Sequence, residues 1–163
     1  MIRIIKHMII ISIISAALVV LFAGCRKNLK EFSFSYSMES VEHFKTSVSF
    51  DSNKTYKIET HNYYMDNHAN KREPIIQEGE LTDEEFKTLT KSLAKCNFFK
   101  MADSYGFDKD PDDLGDIMYQ IYFKTPEKEK FISIRHRADN KFPASFINVL
   151  NYINTFFSKH KRE

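Results

Sequence analysis

Two cysteines, no tryptophan, four glycines and four prolines are spread over 163 residues, and each scarcity removes a class of explanation. Two cysteines, Cys25 and Cys96, make one disulfide at most, never a stapled framework, and neither has a second cysteine at zinc-ligand spacing. Beyond residue 24 the glycines are Gly79, Gly106 and Gly115, each standing alone. Phosphate cradles need clustered glycines whose backbone can approach the anion, so that chemistry is excluded. The lack of tryptophan weakens a carbohydrate-binding reading, because it removes the broadest stacking surface. No Gly-x-Ser-x-Gly elbow and no His-Glu-x-x-His helix occurs.

What is present begins with a leader. Met1 to His7 carries Arg3 and Lys6 and no acid, and Met8 to Phe22 is fifteen residues interrupted only by Ser12 and Ser15. A membrane-spanning helix needs about 20 apolar residues, so this run is short for a permanent anchor and suits a secretory signal. Small Ala23 and Gly24 then precede Cys25. Leu21-Phe22-Ala23-Gly24-Cys25 resembles the lipobox of bacterial lipoproteins, in which the chain is cut before the cysteine and that cysteine carries lipid. The resemblance implies residues 1–24 as a signal peptide and residues 25–31 as a lipidated tether; the 139 residues from Cys25 on suffice for one domain, placed at residues 32–160. Two or more acyl chains anchor stably where one is marginal. Arg26 follows the cysteine where an aspartate would favour inner-membrane retention, so sorting by resemblance points to the outer membrane, on its periplasmic face.

Removing the leader also changes the charge. It holds two of the 24 basic residues and none of the 22 acidic ones, which leaves 22 of each. Nucleic-acid binding draws on concentrated positive charge, so a nucleic-acid partner is not expected. With Cys25 assigned to lipid, Cys96 stands alone beside Phe98 and Phe99, in the setting of a buried structural thiol.

The domain reads as α+β. Phe32, Phe34, Tyr36 and Met38 alternate with serines, as do Phe44, Thr46, Val48 and Phe50 with polar neighbours, a period of two that marks half-buried strands. Asp51 to Lys54 has turn chemistry, and Tyr56, Ile58 and Thr60 continue as a partner strand. Residues 61–73 read as a polar loop, and Ile75 opens a short strand toward Glu80. Thr82 and Glu85 predict a capping box, with Leu81 and Phe86 placed to staple across it; Phe86, Leu89 and Leu93 share a helix face ending near Asn97. Residues 102–116 form an acidic, turn-rich connection. Ile117 to Phe123 and Phe131 to Arg137 predict a hairpin, and Pro143 opens a last helix with Phe146, Val149, Leu150, Ile153 and Phe157 on one face. The expected architecture is an antiparallel sheet of about five to six strands with two helices on one face, ordered strands, helix, hairpin, helix.

Four groups carry candidate chemistry. Asp108, Asp110, Asp112 and Asp116 recur at the spacing of a calcium loop, but Pro111 intervenes, Asp113 stands where the EF-hand needs glycine, and Tyr119 replaces the bidentate glutamate; a solvated acidic loop is the simpler reading. His61, Asp66 and His68 share one polar segment without zinc spacing. Arg135 and Arg137 alternate on a strand opposite His136, and Tyr63 and Tyr64 stand at the edge of a polar loop; these four form the candidate interaction patch. Asp112 and Asp113 are adjacent rather than facing across a cleft. No cofactor and no catalytic residue is expected.

Leu81-Thr82-Asp83-Glu84-Glu85-Phe86, then Asn97-Phe98-Phe99, then Asp103-Ser104-Tyr105, followed by an acidic connection, a hairpin and a helix opened by Phe142-Pro143, resemble a family of small bacterial envelope lipoproteins of unknown function. The resemblance covers roughly residues 75–157 and implies a fold and a compartment, not a reaction. Some members of that family have a Cys-Pro motif near the first strands, where this chain has no cysteine. The expectation is a non-catalytic, lipid-anchored module that binds a protein or envelope component, in the manner of an immunity protein or inhibitor. The alternatives are an envelope enzyme with a site assembled from distant residues and, third, a calcium-binding module.

Overall fold

The computed structural model describes residues 29–40, 43–63, 73–107, 117–136 and 140–160. The elements run β1 (Ser33–Ser40), β2 (Phe44–Asp51), β3 (Thr55–Asn62), β4 (Ile75–Glu80), α1 (Asp83–Lys95), a 3-10 turn (Phe98–Lys100), β5 (Ser104–Tyr105), β6 (Ile117–Lys124), β7 (Glu129–Arg135) and α2 (Ala144–His160). The strands form one seven-stranded sheet in the order β4-β3-β2-β1-β6-β7-β5. Every pairing is antiparallel except β5 with β7. Among the described residues the fold is therefore α+β with two helices, and the expected five to six strands become seven. The additional strand, β5, lies in the stretch read as a connection; it is two residues long, too short to show any alternation, and Ser133 N donates to Asp103 O beside it.

Alternation assigns each strand a buried and a solvent side, and register assembles those sides. Phe34 lies opposite Phe50 on β2 and Phe123 on β6; Tyr36 lies opposite Val48 and Ile121. Val48 faces Ile58, Phe50 faces Tyr56, and Ile121 faces Ile132. These apolar side chains are all buried, and they share one core with Leu89 and Leu93 of α1 and Phe146, Val149, Ile153 and Phe156 of α2. Rings of α2 pack directly on the sheet, Phe156 at 4.9 Å from Phe50 and 5.0 Å from Tyr56. The buried stripe of α2 runs Phe146, Val149, Ile153 and Phe156; Phe157, expected at its end, is only partly buried and Phe156 takes its place. Core contact begins at Leu29, three residues before the expected domain start.

The capping box forms as expected. Glu85 N donates to Thr82 Oγ1 at 3.3 Å, and Thr82 N donates to Glu85 Oε2 at 2.9 Å. Glu85 also joins the helices: Lys159 near the end of α2 donates to its Oε1, and Tyr152 donates to its backbone oxygen at 3.3 Å. The Lys159 ammonium, with Thr82 adding and burial opposing, holds the Glu85 carboxyl at about 2 instead of the ordinary 4.5. A depressed carboxyl contributes stability that is complete above its unfolded value and is lost as pH falls toward the folded one. Glu85 is therefore expected to contribute about 1–2 kcal/mol at neutral pH, after allowance for screening at the exposed ammonium, fading between pH 4.5 and about 2. Glu85→Gln keeps a capping acceptor and loses the charge. Urea midpoints measured across that pH range should fall for the native chain and stay flatter for the variant; parallel curves would remove Glu85 as the cause.

Candidate functional site

Among the described residues, the helices pack on the core side of the sheet and no element covers the opposite side. Its centre is a strip of serines. Ser35 pairs with Ser49 and Ser37 with Ser47 across β1 and β2, and Ser33 continues the line. The strip is two adjacent strands wide, its two rows about 4.8 Å apart. Larger side chains flank it: Lys57, Glu59 and His61 on β3, and Tyr122 and Phe131 on β6 and β7. Phe131 is half exposed, an aromatic ring presented to solvent on a sheet face.

At the β2–β3 turn end of this strip lies a cavity of about 600 Å³, open on its solvent side, lined by Ser33, Ser49, Asp51, Lys57, Glu78 and Glu80 among others. Such a volume is in the range of small-ligand sites, but two of its polar groups, Asp51 and Lys57, are committed to neighbours. Asp51 accepts from Asn53 N at 2.8 Å and Thr55 N at 3.2 Å through Oδ1, and from Thr55 Oγ1 at 2.8 Å through Oδ2. It is a turn-forming side chain, and it helps hold Lys54 at a φ of 65°. Lys57 Nζ turns to Glu59 Oε2 at 3.5 Å. His61 Nε2 meets Glu59 Oε1 at 2.9 Å, and the hydrogen bond from His61, ahead of the Lys57 charge, lowers the Glu59 carboxyl below its usual range. His61 thus belongs to β3 and not to the loop in which the sequence places it; β3 continues through Asn62, and Lys45 of β2 pairs with His61. Asp66 and His68 lie outside the described residues.

The candidate patch is only partly described. Arg135 ends β7, its guanidinium 4.8 Å from the Phe107 ring, and its backbone oxygen accepts from Asn140 Nδ2 at 2.7 Å. Tyr63 follows β3, its ring 5.9 Å from His61. Strands β3 and β7 are four positions apart in the sheet, about 19 Å, so Arg135 and Tyr63 do not make one contiguous patch. Arg137 and Tyr64 lie outside the described residues, as do Cys25 and the calcium candidates Asp108, Asp110, Asp112 and Asp116. Among the described residues no group of three or more His, Cys, Asp or Glu side chains is placed to hold a metal ion. His136 meets the Tyr119 hydroxyl through Nδ1 at 3.3 Å.

Cys96 is buried, and desolvation, opposed by a hydrogen bond from Ser145, pushes its thiol up to about 12. Its sulfur lies 3.9 Å from that of Met101. Burial and a thiol held far from ionisation suit a packing role.

Two features of the solvent side escape sequence reading. The alternating serines of β1 are visible in the chain, but the strip exists only because β2 pairs Ser47 and Ser49 against them. Ile75 and Ile76 open the expected short strand, but their 72% and 51% exposure follows from its place at the sheet edge, which the chain does not disclose. No protein-family model matches the chain, and no curated protein matches it.

Proposed function

We propose that this protein is a non-catalytic binding module of the bacterial envelope, held at the periplasmic face of the outer membrane by lipid on Cys25, and that it engages a protein ligand through the open side of its sheet. The observation that carries this reading is the division of the sheet: both helices share the core of one side, and the other presents a serine strip, exposed Phe131 and an open cavity to solvent. Two pairs of acid–base side chains on this side are engaged with each other, Glu59 with His61 and Tyr122 with Glu129 at 2.8 Å. Inhibition of, or immunity to, an incoming toxin is one role such a tethered scaffold would serve.

The anchor and the surface are tested separately. Cys25→Ser should abolish metabolic incorporation of labelled palmitate and move the protein out of the carbonate-washed membrane pellet; a variant still labelled or equally retained removes the anchor. A photo-crosslinking side chain placed in living cells at Ser35 or Ser49 should give discrete adducts, while Lys91 and Asn151 on the helical side should not. Adducts absent from every position, or equal on both sides, overturn the binding surface.

A further inference from the structure

The two edges of the sheet differ. At one end, β5 is two residues long, the short kind of edge that proteins use to discourage strand addition. At the other, β4 is six residues, Ile75-Ile76-Gln77-Glu78-Gly79-Glu80, and among the described residues it pairs with β3 alone. Its strand contains no proline or lysine and no bulge in its pairing with β3.

The direction of its backbone groups follows from register. Leu81 N donates to Lys54 O at 2.8 Å, toward β3. Alternation then turns Gly79, Gln77 and Ile75 toward β3 as well, and turns the N–H and C=O groups of Ile76, Glu78 and Glu80 away from it, toward the open edge. Those three residues also project their side chains on the solvent side of the sheet, in line with Glu59 and Lys57. The edge therefore offers three outward donor–acceptor pairs, one exposed isoleucine and two exposed carboxylates. Lys57 lies opposite Glu78 in register, but its ammonium is drawn to Glu59.

A second copy of the chain fits this edge poorly. Of the antiparallel self-pairings through the outward groups, those centred beyond Glu78 set Glu78 against Glu80 or Glu80 against itself, and three registers are centred from Ile76 to Glu78. One sets Glu78 against Glu78, with Ile76 against Glu80. Another sets Ile76 against Glu78. The third pairs Ile76 with itself but leaves Glu78 opposite Pro74, which has no N–H. A strand carrying opposite charge has none of these conflicts.

Resting on the binding-module reading, we infer that the β4 edge receives an extended segment of a partner protein as an eighth strand, with basic side chains beside Glu78 and Glu80 and an apolar one beside Ile76. Main-chain hydrogen bonds supply the affinity of such strand addition, and alternate side chains supply the selectivity. An antiparallel segment would read basic-x-basic-x-apolar, and a parallel one the reverse.

The test is selection of a displayed library of random linear peptides on the full-length chain purified in detergent, followed by binding of the enriched peptide and hydrogen exchange of the complex. The expected result is enrichment of alternating Lys or Arg followed by an apolar residue, with slowed exchange at the amides of Ile76, Glu78 and Glu80. Ile76→Pro removes one outward N–H without touching the β3 ladder, and Glu78→Lys reverses one charge; each should weaken binding about ten-fold or more while the urea midpoint stays near the native value. No enrichment, enrichment of acidic peptides, or binding that ignores both variants overturns the edge. Crosslinks from Ser35 and Ser49 that persist in the Ile76→Pro chain would leave the binding module standing while removing β4 as its docking strand; absence of crosslinks at every position removes the module itself.

Discussion

Phe98→Ala is expected to lower the free energy of unfolding by about 3–5 kcal/mol, the range for deleting a fully buried phenylalanine. Phe98 has no exposed surface. Its ring sits at 4.8 Å from Phe123, 5.9 Å from Phe34 and 6.3 Å from Phe146, the last nearly perpendicular. It therefore joins β6, β1 and α2 from a three-residue 3-10 turn that has almost no local stability of its own. Truncation removes transfer energy and leaves a void walled by three rings on separate elements, which cannot all close on it. Domains of this size have only about 5–15 kcal/mol in hand, so the loss is a large fraction. In urea titrations the midpoint should move down by more than about 1 M. The neighbouring Phe99 is the control: it is 37% exposed, at 5.7 Å from Phe123 and with Lys128 Nζ at 5.8 Å from its ring, and Phe99→Ala should cost less than about 1.5 kcal/mol. Equal effects at the two positions would show that the ring cluster is not the keystone described.

That contrast marks the limit of what the chain discloses about its fold. The strands β1, β2, β3, β4, β6 and β7 and the two described helices are legible, because alternation, short apolar starts and the Thr82–Glu85 capping box are local signals written in a few consecutive residues. Which of Phe98 and Phe99 is buried is not local. It depends on the turn that carries them and on α2, more than forty positions downstream by the numbering. The same holds for Phe156 and Phe157: adjacent aromatic residues near the end of an apolar stripe differ by about 100° around the helix, and only the neighbours of α2 decide between them. Strand order is likewise hidden. Alternation tells which side of β1 is buried, but not that β6 lies against it on the flank away from β2.

For the candidate site, the residues legible by type, Arg135 and Tyr63, are set on strands too far apart to act together. The serine strip is assembled by register from β1 and β2; Glu78 and Glu80 share one strand, and only the sheet order makes that strand an edge. The exposure of Ile75 and Ile76 could not be read from their apolarity, since an edge strand and a core strand share a vocabulary.

Gly79→Ala is expected to destabilise the domain by about 2–3 kcal/mol, the upper part of the range for overpacking. The reason is the phenol of Tyr56, directly opposite Gly79 across β3 and β4. A β-carbon on Gly79 would lie 2.7 Å from Tyr56 Cζ, 2.7 Å from its hydroxyl and 2.8 Å from Cε1, inside any tolerated contact. The ring has no easy escape. Phe156 meets it edge-on at 5.0 Å and His160 at 5.3 Å, both from α2. The added methyl must therefore push α2, shift β4 or turn the phenol out of its place. Conformational preference works in the other direction, since alanine is favoured over glycine in a strand interior by about 0.5–1 kcal/mol. Steric conflict wins here only because Tyr56 covers the glycine, and that makes the sign of the effect a test of the contact. In a Tyr56→Leu background the smaller side chain frees the space, so Gly79→Ala should become neutral or slightly stabilising. The double-mutant cycle should then give a coupling of about 2–3 kcal/mol, at the top of the range for residues in contact. Additive effects of the two substitutions would mean that Tyr56 does not rest on Gly79, and with it would go the placement of the β4 edge on which strand addition depends.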